Sequence, residues 1–271
     1  MSELFNIIKA RRSVRTYDGR GLSSEDLTKL MLYSDEITNP FGIPVRFVFL
    51  GASRELSSPV LVGEKLYVAG AVSREPNMEA AFGYSFEQLV LHAWSLGIGT
   101  VWIGGTMNRE AFEHACKLKE NEIMPCITPI GYAADRMSVR ESLMRKGVKA
   151  DSRKRAEELF FEQNFETPLP LAAAAEAWLP DLFEMVRLAP SAVNKQPWRI
   201  LHRDGAWHFF EKKDKGFVSD SVGDMQKIDV GIALCHFVLG LKEQGIDPQV
   251  TVGFSGAELP EDMEYVATVR F

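Results

Sequence analysis

The sequence predicts an α+β fold made of two diverged half-repeats, each a central, mostly antiparallel sheet flanked by helices. Three observations carry that expectation. Ile43-Pro44-Val45-Arg46-Phe47 and Gln196-Pro197-Trp198-Arg199-Ile200 each follow a helical segment and open a strand-like run. Gly83 stands fourteen residues before Gly97-Ile98, and Gly231 stands fourteen before Gly245-Ile246, each interval reading as one buried helix. Ile130-Gly131-Tyr132 and Val252-Gly253-Phe254 then close two late strands in the same order. Each match alone is a cheap coincidence, but three in one order indicate a duplication.

Taken along the chain, Leu4, Phe5, Ile7 and Ile8 give a helix-like start. Ser23-Ser24-Glu25-Asp26 is a capped entry to a helix reaching about Ser34, because a serine hydroxyl can accept one of the unpaired N–H groups of the first turn. Val45–Leu50 and Leu66–Val72 read as strands. Phe82, Phe86, Leu89, Val90, Ala93 and Leu96 fall on one helical face, and Gly97 is placed to stop that helix. Thr100–Ile103 reads as a buried strand that delivers Gly104-Gly105, with a helix beginning near Asn108. Arg136–Phe165 is polar and reads as the connection, and the Ala-rich Leu169–Trp178 is expected to begin the second half as helix. Pro190 should end the helix before it, and Asp204-Gly205 is a two-residue hairpin signal. From helix stop to strand end the halves differ, 34 residues against 8, which implies loss of a block like Thr100–Pro125. The expected organisation is 1–150 for the first half, 151–168 for the connection and 169–271 for the second, shortened half.

Composition narrows the class. With 46% hydrophobic and 25% charged residues the chain is ordinary for a globular protein, and a net charge of −6 argues against nucleic acid as a partner. No apolar run is long enough to span a membrane, and the N-terminus lacks the basic-then-apolar order of a signal peptide. Cys116, Cys126 and Cys235 are odd in number and widely spaced, neither a disulfide framework nor a metal box, so a cytoplasmic protein with reduced thiols is expected.

Against that acidic background, basic residues crowd at Arg11, Arg12 and Arg15 and again at Arg153, Lys154 and Arg155. Arg11-Arg12-Ser13-Val14-Arg15 offers three forked guanidiniums and a hydroxyl, which can surround a phosphate; a solvated helix end would place basic residues there as well. Ala189-Pro190-Ser191-Ala192-Val193-Asn194-Lys195-Gln196-Pro197-Trp198 is a polar loop with amides able to read a ring edge, or an ordinary helix-to-strand loop. Gly97-Ile98-Gly99 is not a dinucleotide fingerprint, because it follows a helix rather than a strand. His92, His236, Trp102 and Trp198 read as core residues, and Glu157-Glu158 as a solvated face.

Arg-Arg-Ser-Val-Arg, the Pro-Ser-Ala-Val-Asn-Lys-Gln-Pro-Trp loop, Trp-Ile-Gly-Gly after Leu-Gly-Ile-Gly-Thr, and Pro129-Ile130-Gly131-Tyr132 together resemble the nitroreductase superfamily. The resemblance implies flavin mononucleotide (FMN) as cofactor. It implies Arg11, Arg12, Ser13 and Arg15 at the phosphate and ribityl end, with Arg153 and Arg155 as helpers. It places Ile103, Gly104 and Gly105 beside the reactive ring nitrogen, and Pro190, Ser191, Ala192 and Asn194 along the isoalloxazine. No catalytic side chain and no metal is implied.

Ordinary members of that family carry these motifs once per chain and dimerise. Here the arginine cluster and Gly104-Gly105 stand in the first half and the Pro-Ser-Ala-Val-Asn loop in the second, while the position matching the loop reads Ile37–Phe41 and that matching the cluster reads Asn164–Pro168. The resemblance therefore implies a fused pseudo-dimer with one composite site, expected to act as a monomer. The implied activity is two-step transfer of hydride from NADH or NADPH through FMN to a small-molecule acceptor, aromatic, quinone or nitro. A flavin store or sensor without turnover is the alternative.

Overall fold

Ser2 starts the first helix, α1 (Glu3–Ala10), by accepting the Phe5 N–H on its hydroxyl, with Glu3 and Lys9 at the ends that suit their charges. The computed structural model describes residues 2–170, 176–253 and 259–271. Ser23 caps α2 (Ser24–Glu36) by accepting the Asp26 N–H at 3.0 Å, as the serine-rich entry predicts. β1 (Val45–Gly51) and β2 (Leu66–Ser73) pair antiparallel, Val45 opposite Val72. The long helix α3 (Met78–Ser95) begins a turn before its expected start. Asn108 caps α4 (Arg109–Cys116), and β3 (Glu122–Ile123) and β4 (Ile127–Ile130) both pair with β2 on the side away from β1. Thr100–Ile103 is extended but held by single bridges, Ser13 to Thr100 and Ile103 to Ile127, rather than a ladder.

Arg136–Phe165 is more ordered than a connection. It forms α5 (Val139–Gly147), a 3₁₀ turn at Ala156–Glu158, and β5 (Phe160–Glu162). After α6 (Leu179–Arg187), β5 lies parallel to β6 (Trp198–Arg203), and so joins the second sheet. The Ala-rich helix expected at Leu169–Trp178 falls partly on 171–175, which lie outside the described residues. β7 (Ala206–Lys212) follows β6 across Asp204-Gly205, both with positive φ, the geometry of the predicted tight turn. A short pair, β8 (Val218–Ser219) and β9 (Gly223–Asp224), leads into α7 (Met225–Glu243), β10 (Gln249–Thr251) and β11 (Met263–Arg270). The second sheet runs β10-β11-β7-β6-β5.

In the first sheet β4 lies beside β2, whereas in the second the place beside β7 is taken by β11, not β10. The Val252-Gly253 correspondence, and the lost block counted from it, therefore do not follow strand position.

The two glycine intervals are another matter. Gly97 (φ +76°) and Gly245 (φ +74°) stop α3 and α7 with the same pair of hydrogen bonds. Ile98 N–H reaches Ala93 O at 2.9 Å and Gly97 N–H reaches Trp94 O at 2.9 Å; Ile246 reaches Leu241 at 3.1 Å and Gly245 reaches Lys242 at 2.9 Å. α3 and α7 cross at the centre of the molecule with reciprocal close approach. A Cβ on Gly83 would lie 2.0 Å from the Ile228 carbonyl oxygen, and one on Gly231 would lie 2.2 Å from that of Ala80. Each glycine thus meets the carbonyl three residues before the other. α7 is buried nearly all round, which is why its sequence shows no clean apolar stripe.

Inside this crossing sits a polar group shared by both helices. His236 of α7 and Glu87 of α3 are each fully buried, with His236 Nε2 3.0 Å from Glu87 Oε1 and Nδ1 2.8 Å from Met185 O. Trp102 Nε1 donates to the other Glu87 oxygen at 3.0 Å. His236 is thus the core histidine expected of it, and the half-buried His92 stacks on Tyr33 with ring centroids 3.9 Å apart. Trp198 is buried, but Trp102 does more than anchor the core, as it also walls a cavity.

Candidate functional site

A cavity of about 550 Å³ opens where the end of α1, the Gly104-Gly105 turn, the end of α5, the loop after α6 and the start of α7 converge. Arg11, Arg12, Ser13, Arg15, Ile103, Gly104, Gly105, Arg153, Pro190, Ser191, Ala192 and Asn194 all line it, so residues 180 positions apart in sequence share one space. Arg155 does not. Its side chain is 79% exposed and lies 3.8 Å from Glu158, since the 3₁₀ turn that follows carries it outward.

One end of the cavity is cationic. Arg11 leaves α1 at its C-cap, where its backbone turns extended (φ −61°, ψ 133°) and the following residues run beside Thr100. Burial depresses the Arg11 guanidinium, the charge of Glu87 opposes this, and Arg145 adds to it. Arg153 is depressed by burial and then by Arg11, and Arg15 by burial with Glu141 opposing and Arg145 adding. Arg12 is committed elsewhere, pairing at 3.2 Å with the buried Glu141, which also accepts from Thr16 at 2.7 Å. The Nε atoms of Arg11 and Arg153 are buried with no hydrogen-bond partner among the described residues. Desolvated guanidiniums side by side, with donors unmet, are costly unless an anion completes them. The donor set suits a phosphate, which takes forked paired bonds from arginine.

The loop after Pro190 holds its shape through unusual backbone: Val193, Asn194 and Gln196 all have positive φ, from 43° to 59°. Ser191 Oγ accepts the Gln196 N–H at 2.9 Å. The two amides are spent on the chain itself rather than left to read a ring. Asn194 donates to Lys149 O at 2.8 Å and Ser152 O at 3.1 Å, while its oxygen accepts from Arg153 at 3.4 Å; Gln196 accepts the Lys154 N–H at 2.8 Å. This tie fixes Arg153, which otherwise hydrogen-bonds to Ala150 O and Ser152 O, against the cavity.

Much of the remaining lining is apolar, with Trp102, Ile103, Cys126, Met225, Ile228 and Ile232. A Cβ on Gly104 would lie 3.2 Å from Met225 Cε, while one on Gly105 would meet nothing within 4 Å. The Gly105 N–H has no hydrogen-bond partner among the described residues. A planar ring with a dianionic tail fits this arrangement of cations, apolar walls and a free amide.

The lining also holds residues that were not foreseen, Arg145 and Asp229 among them. Arg145, on the polar helix α5, falls in the stretch that the sequence reads as a connection. Asp229 stands in the apolar interval of α7, where a single carboxylate reads as a break in the pattern. It is 3% exposed, with both oxygens 3.1 Å from the Ala192 N–H. Burial pushes its pKa well above the carboxylate range, with Asp224 and Glu211 adding to this and the Ala192 N–H opposing. Glu211 is itself pushed up to about 7, by burial and then by Asp224.

Asp229 therefore holds a proton where an exposed aspartate does not. In the unfolded chain the carboxyl ionises near pH ~3.9, in the folded chain only higher, so the folded state binds more protons above that pH and loses stability as pH rises. Asp229→Asn removes the loss and keeps an oxygen for Ala192. Its melting temperature should exceed the parent's by more at about pH 8 than at about pH 4. A gain that does not grow with pH would contradict the assignment.

A family model described as "Putative TM nitroreductase" matches residues 3–241. Among solved structures the chain is similar to a "putative nitroreductase" from Thermotoga maritima, at 19% identity over 99% of this chain and 93% of that one, with a TM-score of 0.63. It is also similar to a nitroreductase with bound FMN from Bacteroides fragilis, at 20% identity over 51% of this chain and 92% of that one, with a TM-score of 0.44. An FMN-dependent nitroreductase from Clostridium difficile stands at 18% identity over 52% and 94%, with a TM-score of 0.42. No curated protein matches. The Thermotoga likeness bears out the predicted α+β, nitroreductase-like fold over nearly the whole chain. Among the described residues no helix is long and apolar enough to cross a membrane, and no group of histidines, cysteines and carboxylates could hold a metal ion.

Proposed function

The chain belongs to this nitroreductase family, and on that premise we propose that it is an FMN-dependent oxidoreductase passing hydride from NADH or NADPH, in two half-reactions, to a small aromatic, quinone or nitro acceptor. The observation that carries the reading is the cavity's make-up: unmet, desolvated guanidiniums together with apolar walls and a free Gly105 N–H.

Bound FMN supplies the two-electron centre, and the chain supplies binding, orientation and electrostatics. Arg11, Arg15, Arg145 and Arg153 would hold the phosphate, with Arg12 and Ser13 at the ribityl end. Gly105, with Gly104 and Ile103, would present an N–H donor to charge gathering at the ring edge, so no acid–base side chain is required. Pro190, Ser191 and Ala192 would cover the ring from the second half and exclude water, which strengthens each polar contact inside. Asn194 acts through Arg153, by fixing the segment that carries it.

The reciprocal Gly83 and Gly231 crossing and the twin glycine stops support reading the halves as fused counterparts of a homodimer. That reading carries one FMN per chain and a chain that works as a monomer, in the cytoplasm.

The test is an absorbance spectrum of the purified protein, then anaerobic addition of NADH and of NADPH. Flavin bands near one per chain that bleach with either donor are expected. Bands that persist would make the protein a flavin store or sensor. No bands after soaking in excess FMN would overturn the cofactor assignment.

A further inference from the structure

Arg109 is the first residue of α4, where a cation is disfavoured by the helix dipole. Its guanidinium turns back from the helix and gathers carbonyls. Nη2 donates to Gly104 O at 2.6 Å and to Pro125 O at 3.2 Å; Nη1 donates to Met124 O at 2.6 Å and to Ser221 O at 3.4 Å. Glu113, one turn on, stands 3.4 Å away. None of these partners is a ligand, so Arg109 touches nothing that reacts.

Its effect lies in one peptide plane. The Gly104–Gly105 bond is trans, and in a trans peptide the C=O and N–H point in opposite directions. Pinning Gly104 O to the guanidinium therefore turns the Gly105 N–H the other way. Gly105 lines the cavity, its N–H is free among the described residues, and a Cβ built on it would meet nothing within 4 Å. Two adjacent glycines carry no side chain to hold this plane themselves, and Gly lets the plane rotate more freely than any other residue.

We propose that Arg109 is a positioning residue that locks the Gly104–Gly105 peptide with its N–H aimed into the cavity, and so favours the electron-rich state of whatever ring lies there. The proposal rests on the FMN reading for its redox consequence, but not for the lock. The guanidinium charge also polarises the Gly104 carbonyl, which strengthens the opposite N–H as a donor.

Arg109→Lys keeps the charge but replaces a five-donor fork by a point charge that cannot reach Gly104 O, Met124 O and Pro125 O together. Glu113→Ala is the control, since it frees the salt bridge and leaves the carbonyl contacts intact. The first readout is amide hydrogen exchange of residues 103–108 in FMN-free protein. It should accelerate about tenfold or more in Arg109→Lys, as local opening becomes easier, and stay unchanged in Glu113→Ala.

The second readout is the two-electron midpoint potential of the FMN-loaded protein. A tenfold loss of preference for the reduced state moves it about 30 mV more negative, and that shift is expected for the lysine variant alone. Unchanged exchange in Arg109→Lys overturns the lock, as does equal acceleration in Glu113→Ala, which would show mere loosening of α4. Faster exchange with an unmoved potential overturns the redox role. If the parent protein takes up no FMN, the cavity reading and the redox role fall, while the exchange result still decides the lock.

Discussion

Replacing Arg11 with methionine is expected to weaken FMN binding about ten- to hundredfold while leaving the FMN-free protein at least as stable as before. A hydrogen bond to a charged group contributes about 1.5–3 kcal/mol, and about 1.4 kcal/mol is a factor of ten in affinity. The opposite sign in the empty protein follows from the same burial. Arg11 is desolvated, faces the charges of Arg145 and Arg153, and makes no side-chain hydrogen bond among the described residues; only Glu87 attracts it. Methionine keeps much of the stem's volume without the stranded charge. A flavin fluorescence titration paired with thermal unfolding of FMN-free protein reads both quantities. A variant that binds FMN as the parent does would remove Arg11 from the site. One that unfolds without FMN would make the residue a structural member of the core instead.

The second large effect lies deeper. Glu87→Leu strands the fully buried His236 Nε2 and takes its partner from Nε1 of the half-buried Trp102, where both now have a carboxylate oxygen. Breaking a buried pair by removing one partner costs about 3–5 kcal/mol, because the other is left uncompensated. At about 2–4 °C per kcal/mol for a chain of this order of size, the melting temperature should fall by about 10 °C. Removing both partners should hurt less than the single changes predict, since two apolar groups leave fewer unmet donors. The double variant Glu87→Leu/His236→Leu should therefore melt above the value obtained by adding the two single losses. Strict additivity would show that the two groups are not coupled.

Much of the fold was legible because its punctuation is local. Ser23 and Asn108 cap, Gly97 and Gly245 stop, and Asp204-Gly205 turns, each through chemistry confined to a few neighbouring residues. What the pattern missed is non-local. β5 belongs to the second sheet only because β6 comes to lie beside it, and a three-residue strand leaves no periodicity to detect. Val252-Gly253 matched Ile130-Gly131 by composition, yet β11 holds the corresponding place beside the central strand.

The site shows the same division. The arginine cluster and the Pro190 loop announced themselves by residue type, and the fold brings them to one cavity. Asn194 and Gln196 read in the sequence as amides able to meet a ring edge, but the fold spends them on Lys149 to Lys154, partners that could not be inferred from the loop. Arg145, Asp229 and Arg109 were invisible for a related reason. A charge on a helix is ordinarily a solvated one, and only the packing reveals which way it faces.

The cavity's two walls belong to one polypeptide, residues 8–153 on one side and 188–232 on the other. Dilution cannot separate them, so completeness of the pocket is independent of how much protein is present, unlike a pocket between separate subunits. Inheritance is altered too. In an assembly of identical chains every substitution lands twice, once in each role a residue plays. Here a change at Pro190 or Gly105 alters a single wall, and each wall can vary without the other.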